Sequence, residues 1–126
     1  MSTIDIAPDE LGAWFSSSLG QYLLAQEHDY YDRVVADIFG YNALQCGLAE
    51  IDLLRASRIP SRWCIGSTGP MALRTDLRDL PIAANSIDLV VLPHVLEFSD
   101  DPHQILREVV RVLVPEGQVV ISGFNP

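Results

Sequence analysis

An α/β fold built on a parallel sheet is predicted by three features of this 126-residue sequence. Two runs, "IDLVVL" (Ile87 to Leu92) and "QVVIS" (Gln118 to Ser122), are rich in β-branched residues and bounded by turn residues. Runs that are apolar on both faces are how parallel strands covered on both sides read. The stretch between them, "SDDPHQILREVVRVLVPEG", reads as a crossover helix. Asp101 caps it, Pro102 takes the first position, Ile105, Leu106, Val109 and Leu113 form its buried stripe, and Pro115 and Gly117 end it. Strand, helix and strand in that order make a right-handed βαβ unit.

The N-terminal part supplies helices and the remaining strands. Leu19, Tyr22 and Leu23, then Tyr31, Val34, Val35 and Ile38, recur at helical spacing, so residues from about Ser18 to Phe39 read as one amphipathic helix with Gly40 as its stop. A shorter turn from Glu10 to Phe15, capped by Asp9 and with Trp14 and Phe15 inward, is expected before it. Further strands are expected at Ala43 to Gly47, Arg62 to Gly66 and Met71 to Thr75, with a helix from about Glu50 to Ser57 crossing between the first two. The chain is thus one domain: an N-terminal helical segment, residues 1–41, and an α/β core, residues 42–126.

Composition narrows the function classes. A chain of this length that is 48% hydrophobic can bury one core. All eight basic residues are arginine and the formal net charge is -9, which argues against nucleic acid as a partner. No apolar stretch approaches the roughly 20 residues of a membrane span, so no membrane partner and a cytoplasmic location are expected. Cys46 and Cys64 lack metal-ligand spacing and are too few for a disulfide framework; both read as reduced, buried small hydrophobes.

The segment from Thr75 to Pro126 carries a resemblance. Asp76, Leu80, Pro81, Ser86, Asp88, His94, Leu96, Glu97, Leu113, Pro115 and Gly117 stand where the class I S-adenosylmethionine-dependent methyltransferases of the type 11 branch place an acidic strand end, "LPF", "SFDLVV", an "HVLEH"-like segment and "LxPGGxLxIS". The sequence resembles that family over about two fifths of its length. The resemblance implies a three-layer Rossmann-like methyltransferase fold with a mainly parallel sheet of order 3-2-1-4-5, preceded by N-terminal helices. It also implies S-adenosylmethionine as cofactor and methylation of a small-molecule acceptor.

In such a fold the ligand lies across the carboxyl ends of the strands, near the point where strand order reverses. The resemblance therefore assigns the cofactor to Gly47 after strand one, Ser67 at the end of strand two, Asp76 and Leu77 at the end of strand three, and Pro93 and His94 after strand four. Asp76 would accept from the adenine amino group; alternatively it caps the turn that follows. Gly47 aligns with the first glycine of the family's loop, but Leu48, Ala49 and Glu50 replace the other small residues, which leaves a plain strand-end glycine as the other reading. After strand two, "IGSTGP" holds no carboxylate for the ribose hydroxyls, and Ser67 or Thr68 replaces it only weakly; a hydrogen bond to a charged group contributes about 1.5–3 kcal/mol. His94 is the one candidate catalytic base, with a packing or capping histidine as the alternative. No metal ligands are expected: Asp100 and Asp101 read as helix N-terminal residues, and His28 and His103 as solvated.

The family's domain normally continues past strand five, so the sequence reads as truncated there, either a shortened domain or a fragment of a longer enzyme. A methyltransferase-like module that acts through protein contacts without catalysis is the alternative function. The strand Gln118 to Ser122, apolar and free of charge and proline, presents an edge through which self-association, as a dimer, is expected.

Overall fold

The computed structural model describes residues 18–48, 50–66 and 73–123. The expected turn at Glu10 to Phe15, with Asp9, Trp14 and Phe15, lies outside these residues, as do Ser67, Thr68, Met71 and Ala72. The elements in chain order are α1 (Ser18–Val35), β1 (Asn42–Cys46), β2 (Ser61–Gly66), β3 (Leu73–Arg74), β4 (Ile87–Pro93), a 3-10 turn (Leu96–Phe98), α2 (Pro102–Val112) and β5 (Leu113–Ser122). The five strands form one sheet of order β3-β2-β1-β4-β5, every pairing parallel, as the resemblance implied.

The sheet buries an apolar core on each face. On one, Tyr31, Val35 and Ile38 pack on Ala43, Leu89, Val91 and Val120. On the other, Ile105, Val109 and Val112 of α2 pack on Leu44, Ile65, Val90 and Leu92. Successive strand residues point to opposite faces, so the apolar residues of β1 and β4 are divided between the two layers. The N-terminus of α2 is built as its sequence states: Asp101 Oδ1 accepts from the Gln104 N–H at 3.2 Å, and Pro102 sits in the first turn.

Several elements depart from expectation. Helix α1 ends at Val35, four residues before Phe39, and its first turns leave Leu19 and Tyr22 about 60% exposed instead of inward. Only Gly20, Tyr31 and Val35 of this helix are buried, so its second half carries the packing. β3 is confined to Leu73–Arg74. β5 is longer than expected, starting at Leu113 directly after α2. Its register slips between Ile87↔Leu113 and Leu89↔Gln118, so Val114 to Gly117 form a bulge. A Cβ on Gly117 would lie 2.8 Å from Leu113 Cδ2 and 2.9 Å from the Val114 carbonyl oxygen, which is why glycine occupies the bulge.

The helix expected from Glu50 to Ser57 does not form; residues 50–57 are turns and bends. The cause is Gln45, whose side chain is buried beneath this connection and 2% exposed. Its Nε2 lies 2.8 to 3.0 Å from the carbonyl oxygens of Gly47, Leu48 and Ile51, and its Oε1 accepts from the Leu53 N–H at 3.0 Å. The Ile51 carbonyl, which would accept a helical bond, is thereby engaged by a side chain, a competition that diverts backbone from helix. Leu48 adopts a φ of 54° and Asp52 Oδ1 accepts from the Leu54 N–H, which completes a non-helical path.

Gln45→Leu should therefore destabilise the domain by on the order of 3 kcal/mol, because it strands buried carbonyls and one N–H without partners. Urea denaturation of the two proteins measures it; an unchanged midpoint would show that water substitutes for the amide.

Candidate functional site

The order of strands reverses between β1 and β4, which adjoin while the chain runs outward from them on either side. The carboxyl ends of these two strands open into Gly47 and into Pro93 and His94. Gly47 has a φ of 92°, in the region that side chains avoid, and among the described residues a Cβ placed there would meet only Val95 Cγ2, at 3.5 Å. Its N–H donates to the Ile65 carbonyl at 2.7 Å and its carbonyl accepts from Gln45 and, at 3.6 Å, from the Cys64 thiol. The turn is thus held by β1 and β2 while its open side faces the segment after β4.

Pro93 ends β4 opposite Ser122, and the His94 N–H donates to the Ser122 carbonyl at 2.9 Å. His94 takes a left-handed φ of 53°, which turns its ring away from the strand axis and under α1. There the imidazole is 3% exposed, with Nδ1 2.8 Å from Glu97 Oε1 and Nε2 2.8 Å from Glu27 Oε2. Burial pulls the ring toward the neutral form, but hydrogen bonds and charge from Glu27 and then Glu97 outweigh it and raise its pKa. Glu27 is driven upward by burial and downward, to a larger net effect, by His94, by the Ser122 hydroxyl and by the charges of His94 and His28, so its carboxyl is held below the usual range. Ser122 makes its own short bond to the Tyr31 hydroxyl at 2.8 Å, and Glu27 Oε1 is buried without a hydrogen-bond partner among the described residues.

With both ring nitrogens 2.8 Å from carboxylate oxygens, the charged form of the His94 ring is favoured over its ordinary balance. A general base needs a vacant lone pair aimed at its substrate, whereas each ring nitrogen of His94 lies 2.8 Å from a carboxylate oxygen in this structure. Its contact with Glu27 spans 67 residues, and no local pattern marks Glu27 among the polar residues of α1.

At the other end of the cleft, Asp76 is exposed and caps its own turn: Oδ1 accepts from the Arg78 N–H at 2.9 Å and the Asp79 N–H donates to its carbonyl. The Arg78 guanidinium closes on both carboxylate oxygens, with Nη2 2.8 Å from Oδ2, and reaches Asp100 at 3.4 Å. The Arg78 side chain, and then its backbone N–H, hold Asp76 down to a pKa of about 2. Asp76 thus forms the turn cap. Leu77 follows it, half-buried and packed against the α2-side core. The third expected contact region, Ser67 with Thr68, lies outside the described residues.

The two cysteines are free; Cys46 is buried as expected, but Cys64 is only partly so. Burial pushes the Cys46 thiol up to about 12 and the Cys64 thiol up to about 11, which keeps both protonated and unreactive. Among the described residues no group of His, Cys, Asp and Glu could hold a metal ion, and no helix is long and apolar enough to cross a membrane.

Comparison with known proteins agrees with this geometry. Residues 54–121, just over half of the chain, match the profile of the methyltransferase domain family Methyltransf_11. The chain is 38% identical over 92 residues to the uncharacterized protein YafS of Escherichia coli, a match covering 71% of this chain and 38% of YafS. It is 40% identical over 55 residues to a malonyl-[acyl-carrier protein] O-methyltransferase of Methylovorus sp., covering 44% of this chain and 19% of that enzyme. The matched segment therefore spans two fifths or less of these relatives. Among solved structures, a protein of Methanococcus maripaludis described as a candidate S-adenosyl-L-methionine-dependent methyltransferase superposes with a TM-score of 0.65 at 18% identity, over 98% of this chain and 67% of that one; at that identity the likeness is one of fold. On the profile match and the parallel sheet together, the chain belongs to the methyltransferase domain family of the type 11 branch.

Proposed function

We propose that this domain binds S-adenosylmethionine across the carboxyl ends of β1 and β4 and supports methyl transfer to a small-molecule acceptor. The observation that carries the reading is the Gly47 turn, a side-chain-free left-handed turn that opens toward Val95 at the topological switch point of a methyltransferase sheet. The residues present fit the cofactor at this end: Gly47 admits the methionine portion against the backbone of Pro93 and His94. The adenine end is served by Asp76 and Leu77, with Arg78 competing for the Asp76 carboxylate, and the ribose by the hydroxyl of Ser67 in place of a carboxylate. When bound, the cofactor supplies an electrophilic methyl group on sulfur. The chain's own part is alignment, since His94 is closed to proton abstraction and transfer from a sulfonium depends mainly on placing donor and acceptor in line.

The charge arrangement supports weak affinity. A missing bidentate contact to the ribose and an arginine seated on Asp76 each subtract from binding, so titration calorimetry with S-adenosylmethionine or S-adenosylhomocysteine should give a dissociation constant on the order of 0.1 mM or weaker. Asp76→Ala should remove that binding while costing about 1 kcal/mol or less in stability. Low-micromolar affinity that Asp76→Ala leaves unchanged would move the adenine elsewhere. No binding of either ligand at millimolar concentration would favour the non-catalytic module, in which the same fold serves protein contacts.

Self-association belongs to the same proposal, as does a cytoplasmic setting, which two free thiols favour. β5 lies at the end of the sheet, with Val119 38% and Ile121 46% exposed beside backbone groups that face outward. Such an edge invites antiparallel pairing with a second copy. Val120 points the other way into the α1-side core, so Ile121→Lys is the variant that touches the edge and spares the packing. Light scattering should show a dimer that this lysine shifts toward monomer; a wild-type monomer at high concentration would refute the pairing.

A further inference from the structure

We propose that the side chain of Arg78 gates the adenine end of the cofactor site by leaving Asp76 for Asp100 when the cofactor binds, an inference that rests on the reading of Asp76 as the adenine acceptor. Arg78 occupies that carboxylate with three donors: its N–H reaches Oδ1 at 2.9 Å, its Nε lies 3.1 and 3.2 Å from Oδ1 and Oδ2, and its Nη2 lies 2.8 Å from Oδ2. A carboxylate offers about four acceptor positions, so this one is nearly filled. An amino group arriving at Asp76 also meets an acceptor whose charge a guanidinium already neutralises. The adenine contact stays weak until the fork withdraws.

The backbone of the turn is fixed while the side chain is exposed. The Arg78 carbonyl accepts from Gln104 Nε2 at 3.1 Å, the Leu80 N–H donates to Glu108 Oε1 at 2.8 Å and the Leu80 carbonyl accepts from Arg111 Nη2 at 2.8 Å, so the turn is tied to α2 by three contacts. The guanidinium is held by carboxylates alone, and its side chain is 45% exposed.

Asp100 supplies the second seat. Nη1, the guanidinium nitrogen that does not engage Asp76, lies 3.4 Å from Asp100 Oδ1, longer than a strong charged hydrogen bond. Asp100 is 87% exposed and free to close that distance, and the charge of Asp101 acts on Arg78 from the same side. Exposed ion pairs are individually weak, so exchanging Asp76 for Asp100 is nearly even in free energy. A ligand that binds the Asp100-paired form better shifts the arginine toward it by that difference in affinity. Asp100, which touches no part of the adenine site itself, thereby becomes a determinant of cofactor affinity.

Titration calorimetry with S-adenosylhomocysteine on Arg78→Met, Asp100→Asn and the double variant tests the gate. This ligand carries no net charge at neutral pH, so loss of a positive charge from the protein does not by itself raise its affinity. Arg78→Met, which keeps the stem and removes every side-chain donor, should bind about fivefold more tightly than the wild type. Asp100→Asn should bind about threefold more weakly, because the displaced guanidinium loses its second seat. In the Arg78→Met background the Asp100 substitution should change nothing. Arg78→Lys keeps the charge without the fork and should fall between wild type and Arg78→Met; it carries the comparison if Arg78→Met fails to fold. An affinity that Arg78→Met leaves unchanged or lowers, while Asp76→Ala abolishes binding, overturns the gate and keeps the adenine at Asp76. An Asp100→Asn effect of equal size with and without Arg78 also overturns it. Binding that Asp76→Ala leaves unchanged, or no binding by any of these proteins, removes the adenine from Asp76 and the gate with it.

Discussion

The buried amide of Gln45 is the constraint on which the carboxyl end of the central strand depends. β1 lies at the centre of the sheet, and its neighbours Ala43, Leu44 and Cys46 are apolar and buried, so a primary amide among them must find partners for every hydrogen and lone pair. It finds them in the connection that follows: three carbonyls and one N–H between Gly47 and Leu53. One side chain thus ties together Gly47, Leu48, Ile51 and Leu53 and holds Gly47 at the carboxyl end of β1. The turn is defined by a polar contact beneath it, where the family's usual loop is shaped by small residues along it.

That distinction explains what was legible in the sequence. β4, α2 and β5 were readable because their signals are local: β-branched runs, a capping aspartate before proline, and apolar residues at helical spacing. The connection from Glu50 to Ser57 shows helical spacing too, yet it is not helical, because Gln45 lies outside the window in which that spacing is counted. Glu27 was illegible for a related reason. It is one of many polar residues on α1, and its significance comes from His94, which no periodicity places beneath it. Asp76 was recognisable as important at its strand end, but whether it faces a ligand or its own turn depends on Arg78 two residues on, whose rotamer the sequence does not state.

Electrostatics in this chain works by anchoring loops. The domain has a formal net charge of -9 and no lysine, and several of its arginines form forked contacts. Arg55 ties the turn after β1 to Asp32 of α1. Arg78 closes the turn after β3 on Asp76. Arg111 pairs with Glu108 and also donates to the carbonyls of Leu80 and Ile82, while Glu108 accepts the Leu80 N–H. These pairs are solvent-exposed and contribute little to stability singly. Their planar geometry nevertheless fixes where each connection lies against its helix, which is the service a small domain with short helices needs.

The bulge between α2 and β5 has a consequence of parity. From one matched pair to the next, β4 advances two residues, Ile87 to Leu89, while β5 advances five, Leu113 to Gln118. The excess of three is odd, and in a strand each odd step exchanges the two faces. Val120 therefore points into the layer beneath α1, and Ser122, sharing its face, arrives where Tyr31 and Glu27 can use its hydroxyl. A one-residue change among Val114 to Gly117 that the bulge did not absorb would invert the strand, placing Val119 and Ile121 against Tyr31 and turning Val120 outward. A change of two would preserve the phase.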